Sequence, residues 1–242
     1  MKKGIACLLG CFTLTLALNF PCLSQQSSRQ PSPTAEQVLN RFVQAVGGVT
    51  AHDSIKTSFS KGSIVDWDGE RISIEKYFKS PDKDLIIEHK SKMEIRRGHD
   101  GKVRWVQEGN HKPKRVRPSY DYESEVRFGD IVHWSDKFKK IHFRGETDVL
   151  NRKAYVLAII GRSPATLYFD QQTGLLLRKD TSREQRAVQT YYSNYVETEG
   201  AKMPWWHIEN IYIDTGRKYV ADITEAKTNV PLDDAIFAMS TP

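Results

Sequence analysis

The polar side chains whose spacing invites chemistry gather in one run, His111-Lys112-Pro113-Lys114-Arg115-Val116-Arg117. Four cations so close together (Lys112, Lys114, Arg115 and Arg117) attract anionic surfaces, either lipid headgroups or an acidic partner. The same run also reads as a solvated loop between a strand and a helix. Seven histidines are scattered (His52, His89, His99, His111, His133, His142, His207). No pair has the His-x-x-x-His spacing of a helical zinc site, so turn and surface positions are expected for them. A Gly-x-Ser-x-Gly elbow is absent, and Gly161-Arg162-Ser163-Pro164 reads as a turn. The paired carboxylates Asp66/Asp68 and Asp233/Asp234 sit in turn or cap contexts, whereas glycoside hydrolysis needs two carboxylates held across a cleft. No Gly-rich phosphate loop occurs. Catalytic, cofactor-binding and metal-ligating residues are therefore not assigned, and a non-enzymatic role is expected.

Aromatic side chains supply the other candidates. Trp105, Trp134, Phe138, Tyr168 and Trp206 are expected to wall an apolar ligand cavity, where contact with an acyl chain contributes ~25 cal/mol per Å² buried. Trp205 and Trp206 are neighbours, and only one of them faces inward in a regular strand. A filled core uses the same residue types, so both readings stay open at this level.

The elements that must position these residues are mostly strands. Thr34 reads as an N-cap with Gln37 closing a capping box, and Val38, Leu39, Phe42, Val43 and Val46 share one helical face. This predicts a helix over 34–46, ended by Gly47-Gly48, with a short helical turn over 51–55. From Thr57 the period becomes two. Ile72, Ile74, Lys76 and Phe78 alternate with Arg71, Ser73, Glu75 and Tyr77, a strand with one apolar face. Further strands are expected over 85–89, 93–97, 103–107, 141–149, 154–160, 187–196, 205–214 and 218–229. A second helix is expected over 121–139, weakened at Gly129. Asp170-Gln171-Gln172-Thr173-Gly174 forms a hairpin turn, with an Asp to open it and a Gly to accept φ > 0. About eleven strands cannot stay flat. The economical fold is mainly β with α: one curved antiparallel sheet forming an unclosed barrel around two main helices.

The N-terminus reads as an export signal. Lys2 and Lys3 precede the apolar run Gly4–Phe20, and Cys22-Leu23-Ser24 suits cleavage after Ser24. A membrane anchor and a lipidation box at Leu8-Leu9-Gly10-Cys11 are the competing readings. The expected organisation is a signal peptide over 1–24, a flexible lead-in over 25–33 and one domain over 34–242. Cys7, Cys11 and Cys22 all leave with the signal, so no disulfide is expected in the remainder. The net charge falls from +6 to +4 as Lys2 and Lys3 are lost, which suits solubility better than a polyanionic partner.

Ala35-Glu36-Gln37-Val38-Leu39 through Gly47-Gly48, Tyr168-Phe169-Asp170 with Thr173-Gly174-Leu175-Leu176, and Asn229 through Phe237 together resemble bacterial outer-membrane lipoprotein-sorting-like proteins. That group includes periplasmic lipoprotein carriers and receptors with a LolA-like fold. The resemblance implies an unclosed barrel of about eleven strands, capped by helices, around a cavity for acyl chains. With the export signal, the expected protein is periplasmic and monomeric, binds a lipid or lipoprotein acyl chain and touches membranes peripherally. A protein–protein interaction or sensor module on the same shell, with a filled core and an envelope protein partner, is the alternative. Nucleic acid is not an expected partner of an exported chain.

Overall fold

The computed structural model describes residues 31–91, 93–116, 126–161, 164–183, 186–203 and 207–239. The expected signal peptide, most of the lead-in, Arg117, Trp205, Trp206, the start of the second expected helix and the Arg162-Ser163 turn lie outside these residues.

Helix α1 (Ala35–Ala45) begins as the sequence reading requires. The Thr34 hydroxyl accepts from the Gln37 backbone N–H at 3.1 Å, and the Gln37 side chain accepts from the Thr34 N–H at 2.8 Å. The chain breaks at Gly47 and restarts at once as α2 (Gly48–Ser54), a full short helix where only a turn is expected. Strands β1 (Thr57–Val65), β2 (Arg71–Lys79), β3 (Lys83–Lys90), β4 (Met93–His99), β5 (Arg104–Glu108) and β6 (Lys114–Arg115) form a meander. The second helical region is two short helices, α3 (Phe128–Val132) and α4 (Trp134–Lys137), and the break falls at His133 rather than Gly129. Strands β7 (Ile141–Val149), β8 (Arg152–Ile159), β9 (Ala165–Asp170), β10 (Leu176–Arg183) and β11 (Arg186–Ser193) meander again. The hairpin β12 (Val196–Thr198) and β13 (Ala201–Met203) stands apart, followed by β14 (His207–Tyr212), β15 (Lys218–Thr228) and a 3₁₀ turn, Asp234–Phe237.

The main sheet runs β6-β5-β4-β3-β2-β1-β15-β14-β11-β10-β9-β8-β7, antiparallel throughout. The first meander grows outward from β1 to one edge, and the second returns from the other edge at β7. β15 closes the middle by pairing with β1. β6 and β7 remain edges, so the curved sheet does not close into a barrel. The expected strand count of about eleven misses the two-residue β6 and the three-residue strands of the separate hairpin. Such short segments are below the length at which alternation can be read.

Register divides the sheet into two faces. On the inner face, α1 and α3 place Val38, Leu39, Phe42, Val46, Ile131 and Val132 against Leu157, Leu167, Phe169, Leu176 and Tyr192. Each fully buried aliphatic or aromatic side chain there stabilises the packing by roughly 1.5–3 kcal/mol. The hairpin turn locks α1 in place. Asp170 accepts from the N–H groups of Gln172 (2.9 Å) and Thr173 (2.5 Å) and from the Arg152 Nε (2.7 Å). Arg41 Nη2 donates to the Gln172 carbonyl at 2.8 Å. Gly174 has φ +78°, and a Cβ there would come within 3.1 Å of the Arg41 Cγ, so both backbone and space select glycine.

On the outer face, the C-terminal 3₁₀ turn covers β2, β3 and β5. Asp234 pairs with Lys79 (2.6 Å) and Lys83 (2.8 Å), and Phe237 is buried among Leu85, Ile87 and Trp105. The two lysines hold the Asp234 carboxyl down at about 2, chiefly through their hydrogen bonds.

Candidate functional site

The helices cover only part of the inner face. Over the β1–β5 half they leave a cavity of about 530 Å³, within the size range of small-ligand pockets. Its floor comes from in-register inner-face positions: Ser58 and Ser60 on β1, Lys76 and Phe78 on β2, Asp84 and Ile86 on β3, Arg104 on β5, with Ile208, Ala221 and Ile223 beyond. Its roof comes from α2 and α3, through His52, Asp53, Arg127, Gly129 and His133.

Two contacts set the roof. The His52 Nε2–H donates to the Val46 carbonyl at 3.0 Å, and the same carbonyl accepts from the Lys202 N–H at 2.9 Å. The junction of α1 and α2 is thereby tied to β13. Burial lowers the His52 pKa, with the Val46 hydrogen bond opposing and the neighbouring His133 adding to the fall. His133 Nε2 lies 3.0 Å from the Asp53 carboxylate, joining α2 to the end of α3. These two histidines are therefore roof residues of a cavity, not the turn or surface histidines expected from sequence.

The floor is apolar at one end and charged at the other. Ile72 and Ile74 pack with Ile223 and Ile64. Next along β2 stands Lys76, opposite Ser60 on one side and Ile86 on the other. Asp84 is held by Arg104 at 3.2 Å, and Glu88 is held by Arg97. Lys76 lies between them, half-buried, and lines the cavity. Burial pushes its pKa below the ordinary lysine value, with Glu88 partly opposing.

Comparison with solved structures places this architecture. A DUF1329 family protein from Desulfovibrio piger superposes with a TM-score of 0.62 at 16% identity, over 86% of this chain and 98% of that one. A putative outer membrane lipoprotein-sorting protein domain from Vibrio parahaemolyticus gives 0.56 at 10% identity, covering 83% and 94%. A LolA superfamily protein from Nitrosomonas europaea gives 0.55 at 16%, covering 86% and 98%. The fold is LolA-like. No family model matches the chain, and no curated protein matches it.

Within this LolA-like half-barrel, two of the five aromatic residues expected to wall a cavity, Trp105 and Tyr168, stand on the other face of the sheet. Trp105 is 2% exposed on the outer face, its Nε1–H donating to the Phe237 carbonyl at 2.9 Å. Its ring lies so close over Gly98 that a Cβ there would meet it at 2.5 Å, so it is packed core. Tyr168 also faces outward, donating to Asp180 at 2.8 Å beneath the Arg178 guanidinium, 3.8 Å from the ring centroid. Trp134 and Phe138 pack against the helix–sheet core and do not line this cavity. Trp206 lies outside the described residues. For Trp105 and Tyr168 the cause is the same: size and apolarity were read without face, and β5 and β9 turn these rings outward.

The basic run becomes an edge. β6 carries Lys114 and Arg115, both exposed, beside exposed Lys112; Arg117 lies outside the described residues. The Val116 N–H donates to the Arg104 carbonyl at 3.0 Å, so the cationic edge adjoins the charged end of the cavity. Charged short strands also protect a sheet edge from pairing with other chains. Asp66, Asp68 and Glu70 bring their carboxylates within 4.8 Å of one another in the β1–β2 turn. Asp66 and Asp68 both accept from the Glu70 N–H there, which is a turn's own bonding. Among the described residues no helix is long and apolar enough to cross a membrane.

Proposed function

We propose that this chain is a non-enzymatic exported protein that holds a lipid or lipoprotein acyl chain in the cavity on the inner face of its half-barrel. The observation that carries this reading is the hollow of about 530 Å³ between α2/α3 and the β1–β5 half of the sheet. A protein that used this shell only as a scaffold would be expected to fill that half as it fills the other. Ile86, Ile208, Ala221 and Ile223 offer an acyl chain an apolar floor. Each methylene taken from water contributes about 0.8 kcal/mol. The solved neighbour described as a lipoprotein-sorting domain supports the same ligand class and an envelope location. The domain scheme that goes with this role is a signal over 1–24, a lead-in over 25–33 and one carrier-like domain over 34–242. The exposed Lys112, Lys114 and Arg115 give the cavity's end a means of meeting an anionic membrane surface.

Titration with an environment-sensitive fluorescent acyl probe tests the proposal. Binding should saturate at one site. Affinity of competing chains should rise by up to about fourfold per added methylene until the cavity is full. Linear, non-saturating signal with no chain-length dependence would sink it.

A further inference from the structure

Lys76 is a cation without a hydrogen-bonded counter-ion on the cavity floor, where its apolar and charged ends meet. It occupies an inner-face position between Ile74 and Phe78, and the two carboxylates that flank it on β3 are already engaged. Asp84 belongs to Arg104 at 3.2 Å, and Glu88 belongs to Arg97. On the roof, Asp53 is taken by His133, and Asp82 stands at the exposed rim. Among the described residues, no hydrogen bond or ion pair reaches the Lys76 ammonium. The hydroxyls of Ser58 and Ser60, on the same face, likewise have no protein partner among them. A half-buried ammonium with no hydrogen-bonded counter-ion is costly, and on a cavity floor a ligand can supply the missing anion.

We infer that Lys76 anchors the anionic headgroup of an amphiphile, with Ser58 and Ser60 donating to the same group and the chain lying over Ile86 and Ile223. The ligand class is thus narrower than an acyl chain: it bears a carboxylate or a phosphate monoester at one end. This inference rests on the acyl-chain reading above and adds to it the charge of the headgroup. The lowered lysine pKa agrees, because burial is its largest cause and the Glu88 charge opposes it only in part. An ammonium is a point charge with three donors, suited to either anion without demanding a fixed planar geometry.

Isothermal titration of the full-length secreted protein and of Lys76→Met separates the possibilities. The probes are dodecanoate, dodecyl phosphate, the uncharged dodecanol and inorganic phosphate alone. The wild type should bind at least one anionic amphiphile about tenfold to a hundredfold more tightly than dodecanol. Lys76→Met should erase that preference, binding the anionic probes no more tightly than dodecanol. Its dodecanol binding also serves as the check that it has folded. Whichever of dodecanoate and dodecyl phosphate binds more tightly identifies the headgroup. Equal binding of charged and uncharged probes by the wild type would overturn the headgroup assignment and leave the acyl-chain reading standing. So would an anionic preference that survives in Lys76→Met. Inorganic phosphate binding as tightly as dodecyl phosphate would overturn it as well, because the chain would then contribute nothing. Binding of none of the amphiphiles would remove both readings.

Discussion

The Asp170 carboxylate is 3% exposed and gathers two backbone N–H groups, the Thr173 hydroxyl and the Arg152 guanidinium. Burial alone would raise its pKa. The Thr173 and Gln172 hydrogen bonds and Arg152 outweigh that and lower it. Its contribution to stability is therefore present above the ordinary carboxylate value of about 3.9 and is lost as pH falls through the lowered one. Asp170→Asn should cost about 1–3 kcal/mol at neutral pH and flatten the acid limb of the stability curve, read by urea unfolding between pH 2.5 and 7. His207 shows the opposite sign. Burial would lower its pKa, but hydrogen bonds to Asp222 at 2.5 Å and Glu209 at 3.2 Å raise it. The stability it adds is full below the ordinary histidine value of about 6.5 and disappears as pH rises through the raised one. His207→Gln should therefore lower the melting temperature at pH 5.5 more than at pH 8.5. Equal losses at both would show that the imidazolium pair contributes nothing.

At the scale of elements, α1 owes its start to the Thr34–Gln37 box and its position to the 170–174 turn. Thr34→Ala should cost about 1 kcal/mol in chemical denaturation without altering acyl-probe affinity, because the cap is remote from the cavity lining. Reversing the edge charges, Lys114→Glu with Arg115→Glu, should weaken sedimentation with anionic vesicles and leave probe binding in solution unchanged. Loss of both would mean that the edge shapes the interior. These elements were legible in sequence for identifiable reasons. Capping boxes and Asp–Gly turns are local, so four or five residues specify them. The strands of seven residues or more announced themselves by alternation. What escaped was non-local: β6 and the β12–β13 hairpin are too short for a period, and the His133 break answers to the Asp53 contact across space. Lys76 is instructive because its signal was visible, a lysine at an inward position of the Ile72-Ile74-Lys76-Phe78 alternation. The outward turn of Trp105 and Tyr168 depends on which face of each strand the helices cover, and a single strand's pattern does not carry that.

At the scale of the whole molecule, the sheet is longer than its helices can cover. α1, α3 and α4 fill the inner face over β7–β11, while α2 and α3 only roof the cavity over β1–β5. One half is thus a packed core that sets stability, and the other a hollow that tolerates changes in volume. Ser60→Phe, on the cavity floor, should abolish saturable acyl-probe binding and leave the melting temperature within a few degrees of the wild type. Packing a ring into an already filled core would instead cost about 1–3 kcal/mol. The most direct measurement of the central claim is native mass spectrometry of the protein purified from the cell envelope, with solvent extraction of what it carries. A lipid or acylated species bound one to one, and missing from the Ser60→Phe variant, is the predicted result. A wild-type protein that arrives at its bare chain mass and yields no extractable lipid would contradict it.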